Sequence, residues 1–160
     1  MGQKRSIAID SKRKALIMAE AASDKKGIDI ITIKMRKVSG ICDYFVIATG
    51  TSTTHVRAIS DNIIKQLREK GAKLRHIEGE REASWILADF GDVVGHIFLK
   101  DTRKFYDLEK LWAKAPQTRF EEPEPSKRKP LKKVVKKAVK KPVRKAAKKP
   151  RKKARKKNKK

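Results

Sequence analysis

A run of four small polar residues, Thr49 to Ser52, could do chemistry in this 160-residue chain. It reads TGTS, it follows an apolar strand pattern over residues 44–49, and an amphipathic helix pattern begins after it. Where a strand is followed by a helix, free backbone amides and the positive end of the helix dipole can bind a phosphate. The turn therefore raises the hypothesis of an enzyme that acts on phosphates.

The acidic residues that such an enzyme needs are not in place. In nucleotidyltransferases a Gly-Ser near this position is followed by paired carboxylates that hold metal ions, but no Asp-x-Asp pair follows Ser52 in the helix. Asp89 and Asp92 come much later and flank a predicted hairpin turn, which Asp92 is expected to shape. A metal site needs more ligands than these two residues offer. We therefore predict no catalytic residues, and the enzyme hypothesis is disfavoured.

The histidines and the one cysteine do not suggest a reactive site either. His55, His76 and His96 are too scattered for a zinc motif, so we predict no metal and no cofactor. His55 is expected to be a polar surface or capping residue near the start of a helix. His96 is either a satisfied core or edge histidine or a contact residue on an exposed sheet face, and both alternatives stay open. Cys42 is predicted to be a packing residue.

With catalysis and metal binding disfavoured, binding to a partner is the remaining function, and the aromatic residues suggest where the partner binds. They cluster in the last third of the predicted domain. Phe105 and Trp112 share a predicted helical face with Leu108, so we expect them in the core. Trp85 opens a hairpin strand beside the charged segment 78–82, and large aromatic residues dominate protein–protein hot spots. For Trp85, an interface role and a core role are both open.

Charge divides the chain into two unlike parts. Residues 127–160 hold 21 Lys and Arg and no acidic residue, whereas residues 1–126 hold 23 basic and 18 acidic groups. We predict a basic lead-in over 1–9, a globular domain over 10–116, an acidic Pro-rich linker over 117–126, and a disordered tail over the remainder. Such a tail cannot bury enough apolar surface to offset the entropy of ordering it.

Helix and strand patterns interleave along the domain, which predicts an α/β fold with a mixed β-sheet flanked by helices. The strand-helix-strand unit from residue 44 to about 77 favours a parallel crossover, and Gly91-Asp92 joins two strands as a hairpin turn. The predicted helices cover 11–26, 53–70 and a last segment from about 101 to Pro116, and the predicted strands cover 28–34, 44–49, 73–77, 85–90 and 93–99.

Three blocks of sequence, in this order and spacing, resemble the ribosome silencing factor family, also called the iojap family. They are DYFVIATGTSTTHVRAISDN (43–62), EGEREASWILADFGDVVGHIF (78–98) and TRKFYDLEKLW (102–112). The resemblance covers roughly residues 10–115 and does not extend to the lysine-rich end. It implies a nucleotidyltransferase-like fold without the catalytic carboxylates, and a protein that is not an enzyme.

The resemblance also implies a function. Family members are translational repressors that bind the large ribosomal subunit through its fourteenth protein and block joining with the small subunit by steric exclusion; a role in large-subunit biogenesis and a homodimer are further expectations. The contact residues that the family motif suggests are Trp85, Phe90, Val94, His96, Tyr106 and Leu108.

The tail departs from the family, whose members commonly end soon after the last helix. Dense Lys and Arg neutralise phosphates and release counterions, so ribosomal RNA is the expected partner of the tail. We expect the tail to strengthen binding without choosing the site. The residues predicted to contact RNA are Lys132, Lys133, Lys136, Lys137, Arg144, Lys145, Arg151 and Arg155.

A competing hypothesis is a general nucleic-acid-binding protein that acts through the tail, with the domain as a dimeric scaffold. A membrane role is not expected, because no apolar run is long enough to span a bilayer. A single cysteine excludes an intramolecular disulfide, so nothing argues for secretion. We expect the protein in the cytoplasm, or in an organelle matrix after import.

Overall fold

The structure is a computed structural model, and it describes residues 9–122. The helices are α1 (Ser11–Asp24), α2 (Thr53–Glu69), α3 (Lys100–Tyr106) and α4 (Leu108–Leu111), and the strands are β1 (Ile28–Lys34), β2 (Tyr44–Gly50), β3 (His76–Glu78), β4 (Trp85–Asp89), β5 (Val93–Leu99) and β6 (Gln117–Arg119). The predicted lead-in up to residue 8, the end of the linker and all the RNA-contact residues predicted in the tail lie outside the described residues.

The strands form one mixed sheet in the order β3-β4-β5-β2-β1-β6, which confirms the predicted fold class. β2 and β5 pair in parallel, and the other neighbours pair antiparallel. The prediction that the strand near residues 73–77 would be the parallel partner of β2 was wrong. That strand is β3, which lies at the sheet edge against β4, and the chain reaches β5 only after the hairpin.

Helices α1 and α2 cover one face of the sheet. Val56, Ile59, Ile63 and Leu67 recur at helical spacing in α2, and each is almost fully buried against the sheet and α1. Burying a side chain of this kind contributes roughly 1.5–3 kcal/mol relative to leaving it exposed. β2 lies between the two layers and is buried along nearly its whole length, which fits its continuous apolar run.

The opposite face of the sheet has a thinner cover. Phe45 and Ile47 of β2 point to this face, and they pack with Phe98 of β5 and with Leu108 at the start of α4. The helices here are short, and α3 buries none of its own residues. Phe105 and Tyr106 of α3 and Leu111 of α4 are exposed.

Two sequence predictions about the end of the domain need correction. The last helix is broken at Asp107, which has left-handed backbone angles (φ 42°), and the side chain of Asp107 accepts a hydrogen bond from the backbone N–H of Lys110 as the N-cap of α4. Phe105 and Leu108 therefore do not share a helical face, and Phe105 is exposed rather than in the core. Residues 117–119, predicted as linker, form β6 and pair with β1.

Candidate docking surface

A row of aromatic rings crosses the thinly covered face of the sheet. Each ring in this row lies within 6.2 Å of the next, measured between centroids. The aromatic row consists, in order, of Phe105, Tyr106, Trp85, His96, Phe45 and Trp112. It begins at Phe105, which is 81% exposed, and continues to His96 and Phe45, which are buried.

Strand pairing puts these rings on one face. In the β4–β5 hairpin Trp85 lies opposite Phe98, and Leu87 lies opposite His96, so all four side chains point the same way. The hairpin register is set by its two-residue turn, in which Gly91 has a positive φ of 91°. Trp85 stacks on Phe98 with centroids 4.8 Å apart, which holds the indole half-exposed beside Tyr106.

The most exposed apolar side chains of this face belong to the two short helices. Phe105 in α3 is 81% exposed and Leu111 in α4 is 68% exposed. Phe105 was predicted in the core, because the pattern from about residue 101 to Pro116 predicts one continuous helix. The available signal was Asp107, since an aspartate followed by a short apolar-periodic segment is typical of a new helix N-cap.

His96 is a core residue, and it does not lie on an exposed sheet face, which was the other alternative left open by the sequence. It is only 5% exposed, its Nδ1 accepts a hydrogen bond from the indole N–H of Trp85 (3.3 Å), and its Nε2 is buried with no partner among the described residues. Because burial penalises the charged form, the pKa of His96 is lowered to about 4. The ring is therefore neutral at pH 7, with its proton on Nε2.

The predicted contact residues divide between the two faces. Trp85, His96, Val94, Tyr106 and Leu108 all lie on the thinly covered face, although only Trp85 and Tyr106 present substantial surface to solvent. That any of these residues contacts a partner stays a prediction.

Phe90 does not belong with them. It is 3% exposed and packs in the core under α1 and α2. Every second residue of a strand points to the same face, so Phe90 lies on the same side as Ile86 and Ala88. The suggestion that Phe90 contacts a partner needs correction, since its side chain is enclosed on the other face of the sheet.

Arg103 fixes α3 and α4 to the sheet. Its guanidinium donates to Glu109 Oε1 (2.7 Å), to the backbone carbonyl of Asp29 (2.7 Å) and to Thr49 Oγ1 (2.6 Å). Both Arg103 and Glu109 are largely shielded from solvent. These bonds connect the exposed helices to β1 and β2, so the position of Phe105 and Tyr106 depends on them.

The TGTS turn is occupied by structural hydrogen bonds. The Ser52 hydroxyl accepts from the backbone N–H of His55 (3.1 Å), and His55 Nδ1 accepts from the N–H of Thr51 (3.0 Å). The other ring nitrogen of His55 lies 2.7 Å from the carbonyl oxygen of Lys25, to which it donates. Ser52 is thus the N-cap of α2, and His55, predicted as a polar surface or capping residue, lies in the first turn with its ring bonded to backbone groups outside the helix.

The acidic residues of the hairpin serve the fold. Asp89, not Asp92 as predicted, shapes the turn, because its carboxylate accepts from the N–H of Gly91 (2.5 Å). Asp92 instead forms an ion pair with Lys14 of α1 (2.6 Å). Within residues 9–122 no group of three or more His, Cys, Asp or Glu side chains is arranged to hold a metal ion. In the same part of the chain no helix has the length and hydrophobicity to cross a bilayer.

Cys42 is buried in the core of the thinly covered face, as its packing role predicted. Burial is the main cause that raises the pKa of its thiol to about 11, so at pH 7 it is protonated and a poor nucleophile.

Known proteins resemble this chain in both sequence and structure. The family model described as "Ribosomal silencing factor during starvation" matches residues 8–160, a longer stretch than the three sequence blocks suggested. The ribosomal silencing factor RsfS of Bacillus subtilis is 46% identical over 100 residues, which are 62% of this chain and 85% of that protein.

More distant relatives and solved structures agree. The mouse protein called mitochondrial assembly of ribosomal large subunit protein 1 is 39% identical over 87 residues, covering 52% of this chain and 38% of that protein. A crystal structure of a Chromobacterium violaceum protein superposes with a TM-score of 0.64 at 33% identity, covering 66% of this chain and 88% of that one. This chain belongs to the ribosomal silencing factor family.

Proposed function

We propose that this protein is a translational repressor that binds the large ribosomal subunit through its fourteenth protein and sterically blocks joining with the small subunit. Family membership supports the ribosomal role, and the names of relatives refer to ribosome silencing and to assembly of the large subunit. We place this activity in the cytoplasm and include a role in large-subunit biogenesis. The observation that carries the proposal is the exposed end of the aromatic row.

An exposed apolar surface of this kind marks an interaction site. Phe105, Tyr106 and Leu111 are exposed on the side of α3 and α4, and the partly buried Trp85 lies beside Tyr106, while the other face is covered by α1 and α2. Contiguous exposed apolar patches rimmed by polar residues mark protein-interaction sites, and Trp and Tyr are enriched at hot spots. A protein surface, rather than RNA alone, is the natural partner of such rings.

To block subunit joining by steric exclusion, the domain needs only to bind the joining face and to be large enough to keep the subunits apart. A domain of about 100 residues has a radius of gyration of roughly 13 Å, so a docked copy stands roughly 30 Å off the surface that it occupies. Contacts between two subunits act over a few ångströms. A docked domain on the joining face would therefore separate the particles without any chemistry.

The aromatic row can be tested with a matched pair of variants. Phe105→Glu is expected to weaken binding to isolated large subunits at least 30-fold, because losing a hot spot costs about 2 kcal/mol or more. Ile41→Glu makes the same change at a side chain that is 76% exposed but lies in the loop between β1 and β2, and it should bind normally. Binding is measured by cosedimentation, and subunit joining by light scattering.

Neither variant disturbs the core, since both side chains are exposed, so lost folding cannot explain a difference between them. Normal repression by Phe105→Glu, or an equal loss in both variants, would contradict the docking role of the aromatic row. If large subunits bind normally but still join small subunits at saturation, the steric mechanism is wrong while the docking surface stands. Dimerisation through the same surface stays a separate prediction.

A further inference from the structure

A cavity of about 590 Å³ opens at the carboxyl ends of β2 and β5. These two strands are the parallel pair of the described sheet, and after each of them the chain turns to a different face of the sheet. After β2 it enters α2, which packs on one face, and after β5 it enters α3, which connects through Arg103 and Tyr106 to the other face. In open α/β sheets, ligands bind in the crevice where successive connections switch faces in this way.

The lining of the cavity carries cations that the fold does not use. Lys100 and Lys104 lie four residues apart on α3 and line it, and neither side chain has a hydrogen-bond or ion-pair partner among the described residues. Residues at this spacing share one side of a helix, so their ammonium groups can act on one ligand.

The other charged groups in the lining are already paired. Arg103 is bonded to Glu109, and Arg119 is bonded to Asp29 (3.3 Å). Asp107 accepts from a backbone N–H at the start of α4. The lining therefore has four cationic and three anionic side chains, and the two cations without partners are the two lysines.

The size and the remaining walls of the cavity limit the ligand. Small-molecule sites usually measure about 300–1,000 Å³ and combine apolar walls with a few polar groups. Ile28 and Ile31 of β1 supply apolar wall, and Thr49 and Thr51 line the end of β2. An inorganic phosphate would leave most of this volume empty, whereas a nucleoside phosphate would fill it.

We propose that this cleft binds a nucleoside phosphate, with Lys100 and Lys104 contacting its phosphates and the isoleucine wall contacting its base. Binding is not coupled to turnover, because the carboxylates at the cleft are engaged in ion pairs and caps rather than free to hold metal ions. The inference does not depend on the proposed ribosomal role, and either can fail alone.

The test is calorimetric titration of the full chain with ATP and with GTP, in about 0.3 M KCl to screen the basic tail. We expect saturable one-to-one binding of at least one of them, weakened at least tenfold by Lys100→Ala with Lys104→Ala. The matched control is Lys132→Ala with Lys133→Ala, which removes the same charge from the tail and should leave the affinity unchanged. Adenosine and guanosine should bind too weakly to detect.

Amide chemical shifts locate the ligand independently. On addition of the nucleotide, the amides of residues 49–51 and of α3 should shift, whereas those of the tail should not. Equal affinity after the Lys100 and Lys104 substitutions, an equal loss in the tail control, or shifts confined to residues 127–160 would overturn the proposal. Binding of pyrophosphate as tight as that of ATP would also overturn it, since the nucleoside would then contribute nothing.

Discussion

At the scale of single residues, His96 combines burial with an unpaired polar atom beneath the candidate docking surface. Its ring contacts Phe45 and Trp85, one nitrogen accepts from the indole of Trp85, and the other nitrogen has no partner among the described residues. A charge at this position would have no counterion and little water. The neutral form is therefore part of what keeps the aromatic row in place.

This makes stability depend on pH in a defined direction. The pKa of His96 falls from 6.5 to about 4 on folding, so below pH 6.5 the unfolded chain takes up a proton that the folded chain does not. The stabilisation is complete above pH 6.5 and is lost as pH falls toward 4. At 1.36 kcal/mol per pKa unit, the expected loss is about 3 kcal/mol in the free energy of unfolding.

Urea denaturation at several pH values between 7 and 4 checks this prediction. His96→Gln should be less stable than the natural protein at pH 7 but should lose less stability across this window. His76→Asn is the control, because His76 is exposed on β3 and its contact with Glu78 is a surface pair worth about 1 kcal/mol or less, so most of the original pH dependence should remain. An unchanged pH dependence in His96→Gln would contradict the buried neutral histidine.

Gly50 in the TGTS turn serves packing. A Cβ at this position would lie 2.8 Å from Cγ2 of Val56 and 2.9 Å from its backbone nitrogen, so the glycine lets α2 pack closely against the end of β2. Gly50→Ala should lower the free energy of unfolding by about 1–3 kcal/mol. Gly40→Ala, where an added Cβ meets nothing within 4 Å, should change it by about 0.5 kcal/mol or less. Equal effects of the two changes would rule out this packing role.

At the scale of elements, α3 and α4 are too short to be stable alone and depend on tertiary contacts. Arg103 supplies the polar contacts, since it joins Glu109 to the backbone of β1 and to the side chain of Thr49. Only Leu108 of the two helices is buried. The geometry of the docking surface therefore depends on a charged group as much as on apolar packing.

A double-mutant cycle measures that dependence. Arg103→Ala and Glu109→Ala should show a coupling energy of about 1–3 kcal/mol in denaturant unfolding, because the pair is shielded from solvent and bonded at short range. The Arg119–Asp29 pair is exposed, so a cycle with Arg119→Ala and Asp29→Asn should give about 0.5 kcal/mol or less. Similar coupling in both cycles would mean that Arg103 is an ordinary surface cation.

At the scale of the whole molecule, the chain joins a domain with apolar docking groups to a segment with 21 basic residues. The two parts are expected to bind with different dependence on salt. The affinity of apolar contacts changes little with salt concentration, whereas the affinity of Lys and Arg for phosphates falls steeply with salt, because binding releases counterions. We expect the domain to choose the large subunit and the basic segment to strengthen the binding.

Removing residues 127–160 should therefore flatten the dependence of the binding constant on salt while the preference for the large subunit is kept. A chain of full length with every Lys and Arg of that segment changed to Gln separates charge from length, and it should behave like the truncated form. Sedimentation with separated subunits over a range of salt concentrations gives both quantities. A truncated protein that prefers neither subunit at low salt would show that the tail chooses the site, as the general nucleic-acid-binding hypothesis requires.

Local patterns in the sequence determined the type of most elements. The amphipathic pattern of α2, the apolar strand pattern of β2 and the glycine turn of the β4–β5 hairpin were all predicted correctly. Each depends on interactions within a short window of the chain, such as helical periodicity, capping and turn conformation. Two of the three blocks that carry the family resemblance, 43–62 and 78–98, cover these same elements.

Only the tertiary structure decided which side chains face solvent and which residues meet. One residue with left-handed backbone angles, Asp107, exposes Phe105, and the alternation of the hairpin buries Phe90. The cleft brings Lys100 together with residues of β1 that lie about 70 positions earlier in the chain. Such outcomes depend on strand order and on pairing between distant segments, and no short window of the sequence contains that information.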